Sequence, residues 1–252
     1  MLLVAQITDT HLFADDSGRL FNCPTNANFA AVIDALSRCQ PRPDLLLWTG
    51  DISQDETAES YIYGRSWVES LQIPTYWLPG NHDQNPTTIE QLNFDFIRSA
   101  KTCEAGGWRF ILLNSVVIGE PGGYLATEQL EFLEQQLRAA AANQMPTLVA
   151  LHHHPLNCGI DYMDGMKLSN AEDLFAVLDR YPQVKLVLCG HIHHDFTVQR
   201  GTVSYFGTPA TSMQLKPNQA EIDLDSVPPG FRLLRLYPDG RFETEVVRVA
   251  VA

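Results

Sequence analysis

The chain has 252 residues, 17 basic against 30 acidic for a formal charge of −13, and 45% of it is hydrophobic. That composition excludes a disordered chain, and the excess of acid argues against a nucleic-acid partner, which needs a basic face. No run reaches the ~18 apolar residues of a membrane span, and residues 1–7 are too short for the apolar core of a signal segment.

Short apolar runs alternate with stretches of helical period, the pattern of an α/β protein. In chain order, strands are expected at 2–7, 45–48, 75–78, 109–113, 147–151 and 185–189. Helices are expected between them at 26–39, 57–71, 87–100, 127–142 and 170–180. In the fourth helix Leu130, Leu133 and Leu137 make one apolar face, opposite Glu131, Glu134 and Arg138. From about residue 195 the pattern turns β-rich, with strands expected at 196–199, 203–206, 231–236 and 242–249. Asp239-Gly240 signals a hairpin between the last two. No repeat or long linker divides the chain, so 1–252 reads as one domain. The polar, proline-bearing connection 217–230, with Leu215 beside it, suits either a homodimer contact or a cover over a site.

Five cysteines without a CxxC pair point to a reduced, cytoplasmic protein with neither disulfide framework nor zinc ribbon. The eight histidines are more informative, because all fall in four short places: His11; His82; His152, His153 and His154; His191, His193 and His194. Five predicted strands run into Asp9-Thr10-His11, Gly50-Asp51, Gly80-Asn81-His82-Asp83, the triple histidine and Gly190-His191-Ile192-His193. The carboxyl ends of strands are where α/β sheets gather ligand sites. Each motif alone has a bland reading as a polar turn or helix cap. Their register with five strand ends does not.

Taken as ligands, Asp9, His11, Asp51, Asn81, His152, His191 and His193 supply two carboxylates, four imidazoles and an amide. That is more than one ion takes, and implies two. The mixed nitrogen and oxygen set suits iron, manganese, zinc or cobalt rather than calcium or magnesium. A shared carboxylate holds two ions ~3.5–4 Å apart, the spacing that serves in-line displacement at phosphorus by a bridging hydroxide. His82 is placed to bond the phosphoryl group or protonate the leaving oxygen, with Asp83 orienting its imidazole.

At these residues the sequence resembles the calcineurin-like metallophosphoesterases, whose pattern is D-x-H, G-D, G-N-H-D/E, H and G-H-x-H. Within them it is most similar to the bacterial CpdA-type 3′,5′-cyclic AMP phosphodiesterases, through residues 6–13, 77–83, 151–156, 188–193, 208–211 and 229–232. The resemblance implies a four-layer α/β/β/α sandwich. It implies one metal held by Asp9, His11, Asp51 and His193, and a second by Asp51, Asn81, His152 and His191, with Asp51 the bridge. Iron and manganese are the leading metals. Contacts to the substrate phosphate would come from His11, Asp51, Asn81, His82 and His193. His153, His154 and His194 align with no ligand and are expected either behind the ligands and along the pocket wall, or at the surface.

The implied reaction is hydrolysis of cyclic AMP to 5′-AMP. The alternatives are a phosphodiesterase acting on glycerophosphodiesters or other small diesters and, in a different class, a metal-stabilised scaffold or nucleotide-binding regulator without turnover. Substrate choice would lie in walls at 13–25 and 155–167, where Phe13, Phe21 and Tyr162 either stack or pack.

Overall fold

A computed structural model describes residues 1–251. The first sheet begins with β1 (Leu2–Ile7), β2 (Leu45–Thr49), β3 (Thr75–Leu78) and β4 (Ile97–Arg98). The second takes β5 (Thr102–Ala105), β6 (Trp108–Leu112), β7 (Thr147–Ala150), β8 (Val184–Cys189), β9 (Phe196–Arg200) and β10 (Val203–Gly207). A small ribbon follows, β11 (Gln214–Leu215) and β12 (Leu224–Asp225), before β13 (Gly230–Leu236) and β14 (Phe242–Arg248) return to the first sheet. The strand orders are β14-β13-β1-β2-β3-β4 and β5-β6-β7-β8-β10-β9. β1-β2-β3-β4 run parallel in the first sheet and β6-β7-β8-β10 in the second, while β13 joins β1 antiparallel and β5 and β9 are antiparallel edges.

The alternation along each strand explains the layering. Leu2 and Val4 of β1 meet Phe110, Leu112, Leu148 and Leu186 in an apolar layer between the sheets. Leu3, Ala5 and Ile7 point the other way, against Phe29, Val32 and Ile33 of α1 (Thr25–Ser37) and Tyr61 and Val68 of α2 (Ala58–Ser70). Beyond the second sheet, Ile111, Val149 and Val187 pack on Leu133 and Leu137 of one helix, Thr127–Ala142, and on Leu174 and Leu178 of another, Ala171–Leu178. Strands buried on both faces read as near-continuous apolar runs. The result is the expected α/β/β/α sandwich.

Besides the β11–β12 ribbon and a single helical turn at Asp161–Asp164, neither of them expected, two stretches differ from expectation. Residues 87–100 do not form one helix. Asn85 caps a single turn, α3 (Pro86–Ile89), a 3-10 turn follows at Glu90–Leu92, and the chain then extends into β4 beside β3. Ile89, Leu92 and Phe96 have helical spacing, but the Glu69 carboxylate accepts from the Phe96 and Ile97 amides and holds them extended. β5 was not expected at all. It pairs with β6 across Gly106-Gly107, whose positive φ angles of 56° and 83° make the two-residue turn. The remaining helices are α4 (Thr127–Ala142), α5 (Asp161–Asp164) and α6 (Ala171–Leu178).

Candidate metal centre

The parallel strands β1, β2, β3, β7 and β8 carry the expected donors just beyond their carboxyl ends, and the structure brings them together. Backbone bonds lace the turns: Asp9 N donates to Gly50 O at 3.0 Å and His11 N to Asp51 O at 2.9 Å. Gly80 lets the next turn approach, since a side chain there would overlap Asp51 Oδ1. Asp9, His11, Asp51, His191 and His193 all have φ between 45° and 72°, the left-handed region that non-glycine residues avoid. Such strain persists only where surrounding structure over-determines it, and it concentrates at functional sites.

Two groups of donor atoms result. Asp9, His11 and His193 form one, Asp51, His152 and His191 the other, and each set of three ligand atoms lies within 4.8 Å. Asp51 Oδ2 stands between them, 3.6 Å from His11 Nε2 and 3.3 Å from His152 Nε2. The ring orientations are fixed from behind. His152 Nδ1 donates to Thr49 O at 2.9 Å, His193 Nδ1 to Met213 O at 3.1 Å and His11 Nδ1 to Gln54 Oε1 at 2.8 Å. Each imidazole therefore turns an Nε2 lone pair inward, the tautomer a metal requires.

That arrangement calls for cations. His11 Nε2 and His193 Nε2 face each other at 3.2 Å. His152 Nε2, His191 Nε2 and Asn81 Oδ1 are buried with no hydrogen-bond partner, a costly state unless something positive fills the gap. Burial disfavours the charged form of His152, but the negative charges of Asp51, whose Oδ2 lies 3.3 Å from Nε2, and of Asp9 outweigh burial and raise it to about 9. Asp51 is held well below the usual carboxylate range, burial being overcome by His152 and His82. Burial drives His11 down to about 3, against the pull of Asp51. The donor set fits a pair of metal ions.

Residues 2–195 match the sequence profile of the Calcineurin-like phosphoesterase family. The chain belongs to that family. This phosphoesterase is 46% identical over 246 residues to a 3′,5′-cyclic-nucleotide phosphodiesterase of Nostoc sp., covering 98% of this chain and 92% of the relative. It is 40% identical over 248 residues to the 3′,5′-cyclic adenosine monophosphate phosphodiesterase CpdA of Escherichia coli K12, covering 98% and 90%. A dimetal phosphatase from Danio rerio superposes with a TM-score of 0.71 over 99% of both chains at 14% identity, a likeness of fold.

In the phosphoesterase, the expected partnership of Asp83 with His82 is corrected. Asp83 is buried, and its carboxylate takes its hydrogen bonds from groups other than the imidazole. It accepts from Gly80 N at 2.9 Å, Ile52 N at 3.0 Å, Ser53 N at 3.1 Å and the Tyr61 hydroxyl at 2.9 Å. It thus ties the turn bearing Asp51 to the turn bearing Asn81 and His82. Burial, then the Asp51 charge, push it up to about 6. Tyr61 was missed by the sequence reading, because an isolated tyrosine on a helix carries no motif.

His153, His154 and His194 are all buried, so the surface half of that expectation does not hold. His153 bonds Ser115 Oγ at 2.8 Å and Pro121 O at 3.2 Å, and burial lowers it to about 3. His154 bonds Asp164 Oδ1 at 3.2 Å, and His194 bonds Ile192 O at 2.8 Å. His82 is half-buried, its ring edge-on to His11 at 4.9 Å, and its amide donates to Asp51 Oδ1 at 2.8 Å.

A cleft of about 310 Å³ opens above these donors. Leu20, Phe21, Tyr162, Met163 and Met166 come to it from the two expected wall segments, whereas Phe13 does not line it. Ile222 also lines it, so the 217–230 connection reaches over the site. No helix among the described residues is long and apolar enough to cross a membrane.

Proposed function

We propose that the chain hydrolyses 3′,5′-cyclic AMP to 5′-AMP with two metal ions, iron or manganese, with zinc or cobalt as alternatives. The observation that carries this reading is the near-full-length likeness to relatives named as 3′,5′-cyclic nucleotide phosphodiesterases, in a chain where Asp9, His11, Asp51, His152, His191 and His193 converge.

In this reading Asp9, His11, Asp51 and His193 hold one ion, and Asp51, Asn81, His152 and His191 the other. The position of Asp51 Oδ2 between the two imidazole groups supports its role as the shared ligand. Bound there, such ions lower the pKa of a water and offset the charge that builds at phosphorus. Neutral imidazole and amide donors leave the centre electrophilic, where further carboxylates would repel a phosphodiester anion.

As water adds to phosphorus, the P–O3′ bond breaks and the O3′ oxygen takes a proton. His82 lines the cleft from the same turn as Asn81, which supports it as the group that gives that oxygen its proton and bonds the phosphoryl group. His11, Asp51, Asn81 and His193 line the same cleft, which supports them as the groups set beside the phosphate. Asp83 acts through backbone amides, not on substrate.

The test is to incubate metal-loaded protein with cyclic AMP, chromatograph the products and determine bound metals by elemental analysis. A single 5′-AMP product is expected. Absence of nucleotide turnover, beside good turnover of an aryl phosphodiester, refutes the substrate assignment.

A further inference from the structure

We propose that the nucleobase is gripped by apolar contact between Phe21 and Tyr162, without hydrogen bonds from side chains to its edge, so that adenine and guanine are accepted alike. The proposal rests on the cyclic-nucleotide reading above and adds how the base is chosen.

The cleft has two lobes that meet at Gln54, Asn81, His82 and Pro121. The lobe beyond His82, about 450 Å³, carries Asp55, Glu56, Gln84 and Glu120, an acidic wall ill suited to the faces of a purine. The other lobe is its opposite. Its walls are the thioethers of Met163, Met166 and Met213, three of only five methionines in the chain, with Leu20, Leu215 and Ile222. Methionine is soft and polarisable and settles against aromatic rings of varied outline. Apart from the Tyr162 hydroxyl, nothing on these wall side chains donates or accepts a strong hydrogen bond.

Phe21 and Tyr162 stand at the mouth, 55% and 50% exposed. Exposure alone would say little, but Phe21 is presented at a cost. Leu20 and Cys23 close a tight turn through bonds of 3.1 and 2.8 Å. Its two central residues, Phe21 and Asn22, take φ of 48° and 65°. Asparagine suits that conformation, whereas a bulky aromatic there is an outlier. Tyr162 is anchored differently. It lies in the single-turn helix Asp161–Asp164, and Asp164 pins that turn by accepting from Cys158 N at 2.7 Å and bonding His154 at 3.2 Å. Two exposed rings are thus held by rigid turns over an apolar slot that ends at the donor cluster.

Such a slot selects by area and stacking. A site that hydrogen-bonds a substrate edge rejects the wrong partner by roughly 10⁴-fold or more, whereas an apolar wall manages about 10²-fold. The experiment compares kcat/KM for cyclic AMP, cyclic GMP and the base-free 1-deoxyribose 3′,5′-cyclic phosphate, in the metal-loaded parent and in Phe21→Ala, Tyr162→Ala and Tyr162→Phe. The two cyclic purine nucleotides should agree within about 100-fold. Each alanine variant should lower the ratio of cyclic AMP to base-free efficiency by about fivefold or more, the loss falling in KM, since stacking on an aromatic is worth at least that factor. Tyr162→Phe should restore the parent ratio.

A purine ratio beyond about 100-fold, or alanine variants that leave the base-free ratio within about fivefold of the parent, overturns the proposal. If the parent hydrolyses bis(4-nitrophenyl) phosphate but no cyclic nucleotide, the cyclic-nucleotide reading falls and the base slot with it.

Discussion

Replacing Asp83 with alanine separates a structural clamp from a partner of His82. The carboxylate satisfies three buried backbone amides and the Tyr61 hydroxyl at 2.9–3.1 Å. Each donor left buried and unpaired costs about 1–3 kcal/mol. Water entering the vacated space would rescue some of the four. Removing the carboxylate also returns part of the loss, because burial and the Asp51 charge raise this acid to about 6 and so disfavour its ionised form. The sign is that of a raised acid: its stabilisation is full below the pKa of free aspartate and lost as pH rises through about 6. The net expectation for Asp83→Ala at pH 7 is a loss of about 3–6 kcal/mol, against a typical total of about 5–15 kcal/mol. Tyr61→Phe removes one donor and should lose about 1 kcal/mol. Urea unfolding of the metal-loaded proteins measures both. Where Asp83→Ala remains folded, loosened turns should also lower kcat by about 100-fold. An Asp83→Ala protein within about 1 kcal/mol of the parent in stability, yet as slow as a His82 variant, would refute the clamp and restore the pairing with His82.

His82→Ala should lower kcat about 10²–10⁴-fold, the usual range for a general acid, while elemental analysis finds the metal content of the parent; unchanged turnover would remove His82 from the reaction. Asp51→Ala takes away the carboxylate oxygen that lies 3.6 Å from His11 Nε2 and 3.3 Å from His152 Nε2, so metal content and rate should fall together, and a variant that keeps both metals refutes the bridge. Chelation should lower the thermal midpoint, because ligands bound only by the folded state stabilise it by mass action; calorimetry showing equal midpoints with and without metal would contradict the fit of the donor set. Lys101 tests the electrostatics far from this centre. Its ammonium lies 3.5 Å over the Trp77 ring, bonds Trp77 O, and is lowered by burial to about 8 from 10.5. The folded state then holds this proton less tightly than the unfolded one, so stability should rise between about pH 8 and 10.5. Lys101→Met should abolish that rise, and equal pH slopes in urea titrations of the two proteins would refute the assignment.

The parts of the fold that were legible are those set by local periodicity. β1, β2, β3, β7 and β8 are buried on both faces, so their apolar runs announced them and their ends framed the donors. Residues 87–100 misled because apolar spacing there is helical while the decisive contact, Glu69 on the Phe96 and Ile97 amides, comes from another element. β5 had a local signal in Gly106-Gly107, but its residues are only partly buried and lack alternation. The donors could be read because metal chemistry restricts them to few residue types. Tyr61 and the true partners of Asp83 could not be, since hydroxyls and backbone amides look alike in any sequence.

The pairing of β1 with β13 has a consequence for synthesis. β1 holds Asp9 and His11, and it lies between β2 and β13, with Leu2 opposite Leu236. Ribosomes add about 5–20 residues per second, so that edge of β1 stays open for on the order of tens of seconds while the remainder of the chain emerges. An apolar strand with a bare edge is a template for pairing with other chains. Newly made protein therefore passes through a stage at which its first strand is the most vulnerable to aggregation. Closure by the β13–β14 hairpin is a late, quality-determining event, and β13–β14 is where substitutions would reduce yield before they reduced activity.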